Sequence, residues 1–407
     1  MLFYSNLLKT KKIQIFILFG YIFFTFSVCS IAGYNIFTGL AILLVLLSFK
    51  NCSISIFVPA KDFLYCYGIF FLSLIIASFF SNDVHTIGRT IKYFSWTLPF
   101  WIIMILQSLY FSKRTWKYAI FMAIIFIASG TLPQINNQGI RVIGYFGQPT
   151  LLGTILGIVM PAIWITTIDS LKNKIKGKLS FESAIFILVS LLGVFVLLLN
   201  KTRGAVIGLA IGGIILFLVS YKNGNIYNFT KKKWIASFII LGILCVMSVF
   251  SNTMVHRSYD FERILLWKSS YHMWQDHPVF GVGFGNWNKQ YPNYISPLAK
   301  EPGLTIPHNV LLSFYSETGI IGGTGFLIFT LGTIVILARK IYKYPDNIFY
   351  KIAFWSFITI TCHGMVDTGL TYRTAVRLMS LILGMAFASE NTMISSSVDE
   401  VDNGLNK

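Results

Sequence analysis

The stretch SAIFILVSLLGVFVLLLNKTRGAVIGLAIGGIILFLVSY, residues 183–221, decides the fold. It contains two apolar runs, 183–199 and 204–221, on either side of a short polar turn. An α-helix needs about 20 apolar residues to cross the hydrocarbon core of a bilayer, and in lipid the backbone polar groups must be satisfied within the segment itself. We therefore expect both runs to be transmembrane helices.

Comparable runs recur along the whole chain, whose 407 residues are 55% hydrophobic and only 12% charged. Soluble domains average about 25% charged residues, so this composition excludes a soluble globular protein, a disordered chain and a disulfide scaffold. We expect an all-α polytopic membrane protein with about twelve transmembrane helices. The twelve runs lie near 13–32, 34–49, 63–81, 93–111, 117–132, 149–168, 183–199, 204–221, 235–252, 316–338, 347–366 and 374–390.

The net charge of +18 does not indicate nucleic-acid binding, because most basic residues lie in short loops beside apolar runs. That distribution follows the positive-inside rule and predicts that both termini are cytoplasmic. The first run lacks a small-residue cleavage site and is expected to remain as an anchor. The predicted organisation is helices 1–9 over 1–250, a large periplasmic loop over 251–307, helices 10–12 over 308–390 and a cytoplasmic tail over 391–407.

Seven of the nine arginines fall on the outer face in this topology, although the positive-inside bias should deplete them there. Guanidinium groups bind phosphate and carboxylate in a bidentate manner. We therefore expect an anion-binding site at the outer face. The seven arginines are Arg89, Arg141, Arg203, Arg257, Arg263, Arg373 and Arg377.

Arg203 lies in a tight turn, Asn200–Gly204, between two apolar runs. Two interpretations remain open for it: an interfacial side chain that extends to lipid headgroups, or a fixed cation that faces a lipid-borne anion. A second motif lies in the long loop, where the apolar positions after Arg263 follow one face of a helix. This pattern predicts an amphipathic helix headed by Arg263, with Arg257 six residues earlier, that ends in a glycine-rich turn.

The third motif is His308-Asn309, which follows Pro307. Proline is favoured in the first turn of a helix, so we expect a helix that is capped by Thr305 and has His308 in its first turn. The free N–H groups of such a turn attract phosphate, and imidazole is the commonest general base in proteins. Gly319, Gly322 and Gly323 follow and are expected to let another helix approach closely. Glu317 should lie on the opposite side of the helix from His308.

Other candidates carry less information. Arg141 and the pair Asp367 and Arg373 lie in outer loops, where a structural role and a substrate contact remain equally open. The other histidines, His363 among them, are interpreted as structural residues. The sequence has no cluster with metal-ligand spacing, and we expect neither a metal nor a cofactor.

His308-Asn309, nine further residues and then Gly319-x-x-Gly322 resemble the signature of the O-antigen ligase family of Gram-negative bacteria. Thr202-Arg203-Gly204 looks like the turn arginine of that family. The segment from Arg263 to Gly285, with its Asp-His-Pro-x-x-Gly-x-Gly core, is similar to the large periplasmic loop of the wider ligase and polymerase superfamily.

The resemblance implies a GT-C-like glycosyltransferase of the bacterial inner membrane, active on the periplasmic face without ATP or metal. The donor would be O-antigen polysaccharide on undecaprenyl diphosphate, and the acceptor a sugar of lipid A–core. His308 would be the catalytic base, and Arg203 and Arg263 would bind the diphosphate. The secondary candidates for substrate contact are Arg141, Asn309, Arg257 and Arg373.

Three alternatives remain open at this stage. An O-antigen polymerase would use the same donor on the same face, with another lipid-linked repeat unit as acceptor. A protein O-oligosaccharyltransferase usually carries a larger C-terminal outer region. A flippase or transporter is disfavoured, because it should bury polar residues at mid-membrane and the apolar runs here hold almost none.

Overall fold

The computed structural model describes residues 11–28, 30–48, 53–81, 83–110, 113–135, 141–172, 180–221, 257–367 and 369–405. Within these residues the protein consists of helices and connecting turns, without a strand. The α-helices are α1 Lys11–Ser27, α2 Ile31–Ser48, α3 Lys61–Phe79, α4 His85–Ser95, α5 Leu98–Tyr110, α6 Lys113–Thr131, α7 Pro149–Lys172, α8 Phe181–Asn200, α9 Arg203–Tyr221, α10 Arg257–Asp276, α11 Trp287–Tyr294, α12 Val310–Lys343, α13 Ile348–Gly364 and α14 Arg373–Leu405. Short 3₁₀ helices cover Ile54–Ala60, Leu132–Gln134 and Gly369–Thr371.

Seven of the described helical segments are long and apolar enough to cross a membrane. The expectation of an all-α multi-pass membrane protein is therefore confirmed, whereas the number twelve stays a prediction. The apolar run 235–252 lies outside the described residues. The seven segments are Ile31–Ser48, Ile54–Phe79, Thr115–Gln134, Pro149–Leu171, Phe181–Asn200, Arg203–Ser220 and Val310–Lys343.

The run predicted at 93–111 is not one helix. It begins in α4 and continues, after a turn at Trp96 and Thr97, as α5. Pro99 explains the break, because proline has no backbone N–H to donate to the carbonyl of Ser95 and is tolerated in the first turn of a new helix.

The centre of the bundle is formed by α7, α13 and the first half of α14, whose residues are almost all buried. Helix α9 packs along α13 through Gly204, Gly208 and Gly212, which recur at every fourth position. A Cβ atom on Gly208 would lie 2.6 Å from the carbonyl oxygen of Thr359 on α13. Small residues at this spacing allow two helix backbones to approach closely, and here they hold the start of α9 against the end of α13.

Helix α12 is interrupted at Gly319, which has φ 61° and ψ −162°. The glycine-rich turn after α10 fills the break: Ile320 N–H donates to the Pro278 carbonyl at 2.8 Å, and Gly283 N–H donates to the Glu317 carbonyl at 2.8 Å. The turn thus satisfies backbone groups that a broken helix leaves free. The role expected for Gly319 was wrong, because it admits this turn and not another helix. Gly322 does face another helix, at Leu74 of α3.

The segment 257–307 folds around a small core of its own, formed by Leu266, Met273, Trp287 and Tyr291. Helix α10 begins at Arg257, so Arg263 lies in its second turn and does not head the helix as expected. The helices predicted in this segment are present as α10, which is longer than expected at 20 residues, and α11, which has 8 residues. Its periplasmic location stays a prediction.

Candidate functional site

The turn between α8 and α9 is fixed by the buried side chain of Asn200. Its amide donates to the carbonyls of Val142 at 3.0 Å and Pro149 at 2.9 Å. Lys201 closes α8 in a left-handed conformation, with φ 54°, and Arg203 starts α9. The turn is therefore attached to the loop before α7, and its position does not depend on a ligand.

Arg141 holds the same turn from the other side. Its Nε donates to the Asn200 carbonyl at 3.0 Å and its Nη2 to the Thr202 hydroxyl at 2.6 Å. Burial lowers the pKa of the Arg141 guanidinium, and the charges of Arg263 and Arg203 lower it further. The sequence left a structural role and a substrate contact open for Arg141, and these contacts support the structural role. Because the charges of Arg203 and Arg263 act on Arg141, these three arginines, from three different elements, lie close enough to interact.

Arg203 and Arg263 form the accessible part of this cationic cluster. Arg203 Nη2 lies 3.3 Å from Asp260 Oδ1 on α10, and both side chains are partly exposed. Arg263 lies three residues after Asp260 on the same helix, and within the described part of the chain no carboxylate forms an ion pair with it. Two neighbouring guanidinium groups with one exposed counter-ion are suited to bind an anion that carries two phosphates.

His308 precedes α12 and adopts a left-handed backbone conformation, with φ 51°. The helix starts later than expected, at Val310, because Asn309 is its N-cap: Asn309 Oδ1 accepts from Leu312 N–H at 3.0 Å. The Asn309 amide also donates to the Met365 carbonyl at 3.0 Å. Asn309, a candidate substrate contact, therefore fixes the backbone that carries His308.

Two further contacts orient His308. Its Nδ1 lies 3.4 Å from Oδ1 of Asp367, whose side chain is buried, and its carbonyl accepts a hydrogen bond from Trp267 Nε1 at 3.4 Å. Asp367 thus contacts His308. A buried carboxylate beside one imidazole nitrogen leaves the other free to accept a proton, the arrangement of an oriented general base.

His363 was interpreted as structural in the sequence, yet it lies within this cluster. It is buried on α13, with Nε2 3.0 Å from the Thr154 hydroxyl, and a Cβ atom on Gly204 would lie 2.6 Å from its Nδ1. It interacts electrostatically with Asp367, Arg263 and Arg141. The signal that could have found it is a polar residue inside an apolar run, since such residues in membrane helices are commonly functional.

The two remaining candidates are Arg373 and Arg257. Arg373 begins α14 and lines a cleft with Arg377 and Tyr34, and no contact in the described residues joins it to His308 or Arg203. Arg257 begins α10, and its side chain lies outside the described residues.

A second set of contacts, which the sequence did not indicate, holds α10 and its turn in place. The Glu317 carboxylate accepts from the N–H groups of Gly285 at 3.0 Å and Trp287 at 3.1 Å. Arg89 donates to the Phe284 carbonyl at 2.9 Å and pairs with Asp83 at 2.8 Å. Hydrogen bonds from the backbone N–H of His85 and from Arg89 keep the pKa of Asp83 well below its usual range. These contacts hold the glycine-rich turn that follows α10 against α4 and α12.

No group of three His, Cys, Asp or Glu side chains that could hold a metal ion is found in the described ranges. The candidate site itself is a cationic cluster beside an oriented histidine. Fixed cations of this kind can stabilise the charge on a departing phosphate group.

Comparison with known families gives a match in the middle of the chain. Residues 188–327 match the model described as O-antigen ligase, and no curated protein matches the chain. The matched region contains the α8–α9 turn with Arg203, the helix with Arg263, the glycine-rich turn and the His308-Asn309 pair. Members of this family are membrane glycosyltransferase-like enzymes that act on lipid-linked sugars. Through this region, which is about a third of the chain, the protein is similar to the O-antigen ligase family.

Proposed function

We propose that this protein is an O-antigen ligase, which transfers O-antigen polysaccharide from undecaprenyl diphosphate to a sugar of lipid A–core. The observation that carries the proposal is the position of the Arg203 and Arg263 guanidinium groups in the same cluster as the His308–Asp367 pair. The reaction would take place at the periplasmic face of the inner membrane, with both termini in the cytoplasm.

On the donor side, the bond between the anomeric carbon and the diphosphate oxygen breaks. The departing diphosphate gains negative charge as it leaves, and fixed cations that stabilise such charge lower the barrier. Arg203 and Arg263 would bind it in a bidentate manner. Because the lipid diphosphate is itself an activated leaving group, the transfer needs no ATP.

On the acceptor side, a sugar hydroxyl loses its proton to His308 as its oxygen attacks the anomeric carbon. With Nδ1 facing Asp367, Nε2 is the nitrogen that takes this proton. The attack and the departure of the diphosphate occur on opposite faces of the sugar, so the anomeric configuration inverts. Both substrates are anchored in one leaflet, which confines them near each other before they react.

The test is a lipopolysaccharide gel from a strain that lacks this gene, complemented with the wild-type protein or with the His308→Ala variant. A ligase predicts core without O-antigen in the deletion strain, with long polymer left on undecaprenyl diphosphate. Only the wild-type protein should restore the full pattern. Core capped by a single repeat unit would instead identify an O-antigen polymerase.

A further inference from the structure

A second cationic feature lies at the start of α14, away from the cluster around Arg203. Arg373 and Arg377 are four residues apart, so they project from the same side of the helix. They line an open cleft that α14 forms with the end of α1 and the start of α2. The cleft is at the same end of the bundle as His308, because Arg373 is only six positions after Asp367, which contacts His308.

Neither arginine has a carboxylate partner in the described part of the chain. Arg377 stacks on the Tyr34 ring, with its guanidinium carbon 4.2 Å from the ring centroid, and its Nε is buried without a hydrogen-bond partner. Arg373 adds a second positive charge close enough to interact with it. Two like charges at this spacing repel each other, and an unpaired guanidinium donor in a partly buried position is costly.

The rest of the cleft suits an amphiphilic ligand. Phe24, Val28 and Ile31 provide apolar walls. Ser30 adds a polar group: its hydroxyl oxygen accepts from Gly33 N–H at 3.0 Å, which leaves its own O–H available to donate. Apolar walls beside two guanidinium groups match the boundary between an acyl chain and a phosphate.

We propose that Arg373 and Arg377 form a binding site for the phosphate group of a lipid, separate from the diphosphate site of the transfer reaction. Fork-shaped guanidinium groups bind phosphate oxygens through two parallel hydrogen bonds. A bound phosphate would satisfy the Arg377 donors and remove the repulsion between the two arginines. The proposal does not depend on the transferase activity, since it concerns binding in the absence of any sugar donor.

The experiment measures binding of three probes to the purified full-length protein in detergent: lipid A, phosphatidylglycerol and inorganic phosphate. The variants are Arg373→Gln and the double change Arg373→Gln with Arg377→Gln. Arg339→Gln is the matched control, because Arg339 is an exposed arginine near the far end of α12. Loss of charged hydrogen bonds should weaken lipid binding at least about tenfold in the double variant, with the control unchanged.

The pattern of loss identifies the source of the phosphate. Loss for lipid A alone indicates the lipid A headgroup, equal loss for phosphatidylglycerol indicates anionic lipids in general, and loss only for inorganic phosphate indicates the free ion and overturns the lipid assignment. Arg373 is exposed, so the single variant should fold even if the double variant does not, and it should also bind more weakly. Wild-type binding of every probe by Arg373→Gln, or equal weakening by Arg339→Gln, would overturn the proposal. Because no donor is present, these outcomes do not bear on the proposed transfer.

Discussion

Nδ1 of His308 lies 3.4 Å from Oδ1 of Asp367, although 59 positions separate the two residues in the sequence. His308 precedes α12 and Asp367 follows α13, so the contact depends on how these two helices pack. The side-chain amide of Asn309, next to His308, donates to the carbonyl of Met365, two residues before Asp367, at 3.0 Å. The pair is therefore held in place from both sides before any substrate binds.

Replacement of His308 by alanine should abolish detectable transfer, with a loss of about 10²-fold or more, since a positioned general base contributes about 10²–10⁴-fold. The measurement is the transfer rate of purified protein at matched amounts. His272→Ala is the control, because His272 is exposed on α10, where it contacts Gln275 and the ring of Tyr271. A normal rate for His308→Ala would exclude it as the base.

Replacement of Asp367 by asparagine should reduce transfer about tenfold or more, because it removes the carboxylate that orients His308. The decisive comparison is the double variant with His308→Ala. If Asp367 acts through His308, the second change should add no further loss, since residues that act as a unit are not additive. An independent additional loss would assign Asp367 a separate role.

Replacement of Arg263 by lysine should lower transfer about tenfold, even though the charge is kept. An ammonium group cannot reproduce the two parallel hydrogen bonds of a guanidinium to phosphate. The measurement is the rate at a series of donor concentrations. Lys201→Gln, at an exposed residue of the same turn as Arg203, is the control for loss of nearby charge. Full activity of Arg263→Lys would mean that Arg263 does not bind the diphosphate through bidentate hydrogen bonds.

Replacement of Gly281 by alanine should destabilise the protein. Gly281 has φ 69°, and a Cβ atom there would overlap the Glu317 carbonyl group. The strained backbone alone costs about 1–3 kcal/mol. Thermal unfolding in detergent measures the effect, with Gly303→Ala as control because a Cβ atom there meets nothing within 4 Å. Equal unfolding temperatures would contradict the docking of this turn into α12.

Replacement of Asp83 by asparagine should lower the unfolding temperature at pH 7 in a pH-dependent way. Hydrogen bonds from His85 N–H and Arg89 lower the pKa of Asp83 in the folded protein, so its contribution is complete above the ordinary Asp pKa of about 4 and declines as the pH falls below it. The difference in unfolding temperature between the wild type and the variant should therefore become smaller below about pH 4. Asp346→Asn, in an exposed turn, is the control. A pH-independent difference would contradict this role.

The helices of the bundle could be predicted well from the sequence. The runs 183–199 and 204–221 correspond closely to α8, Phe181–Asn200, and α9, Arg203–Tyr221. The reason is physical: lipid requires long apolar helices, so composition alone fixes where they lie. The break between α4 and α5 was not predicted, although Pro99 signals it.

The site could be predicted only in part. The motif residues Arg203, Arg263 and His308 were found because their types and spacing follow recognisable patterns. The contact of Asp367 with His308 and the docking of the glycine-rich turn at Gly319 depend on packing between distant segments. The left-handed conformation of His308 also has no local sequence signal, so the start of α12 was placed too early.

The most direct test is transfer by the purified protein, reconstituted with undecaprenyl-diphosphate-linked O-antigen and lipid A–core in the presence of EDTA and without ATP. We expect polysaccharide joined to lipid A–core and an equal amount of free undecaprenyl diphosphate with the wild-type protein, and neither product with His308→Ala. Longer polymer on undecaprenyl diphosphate with no conjugate, or equal rates for the two proteins, would contradict the proposed ligase reaction with His308 as its base.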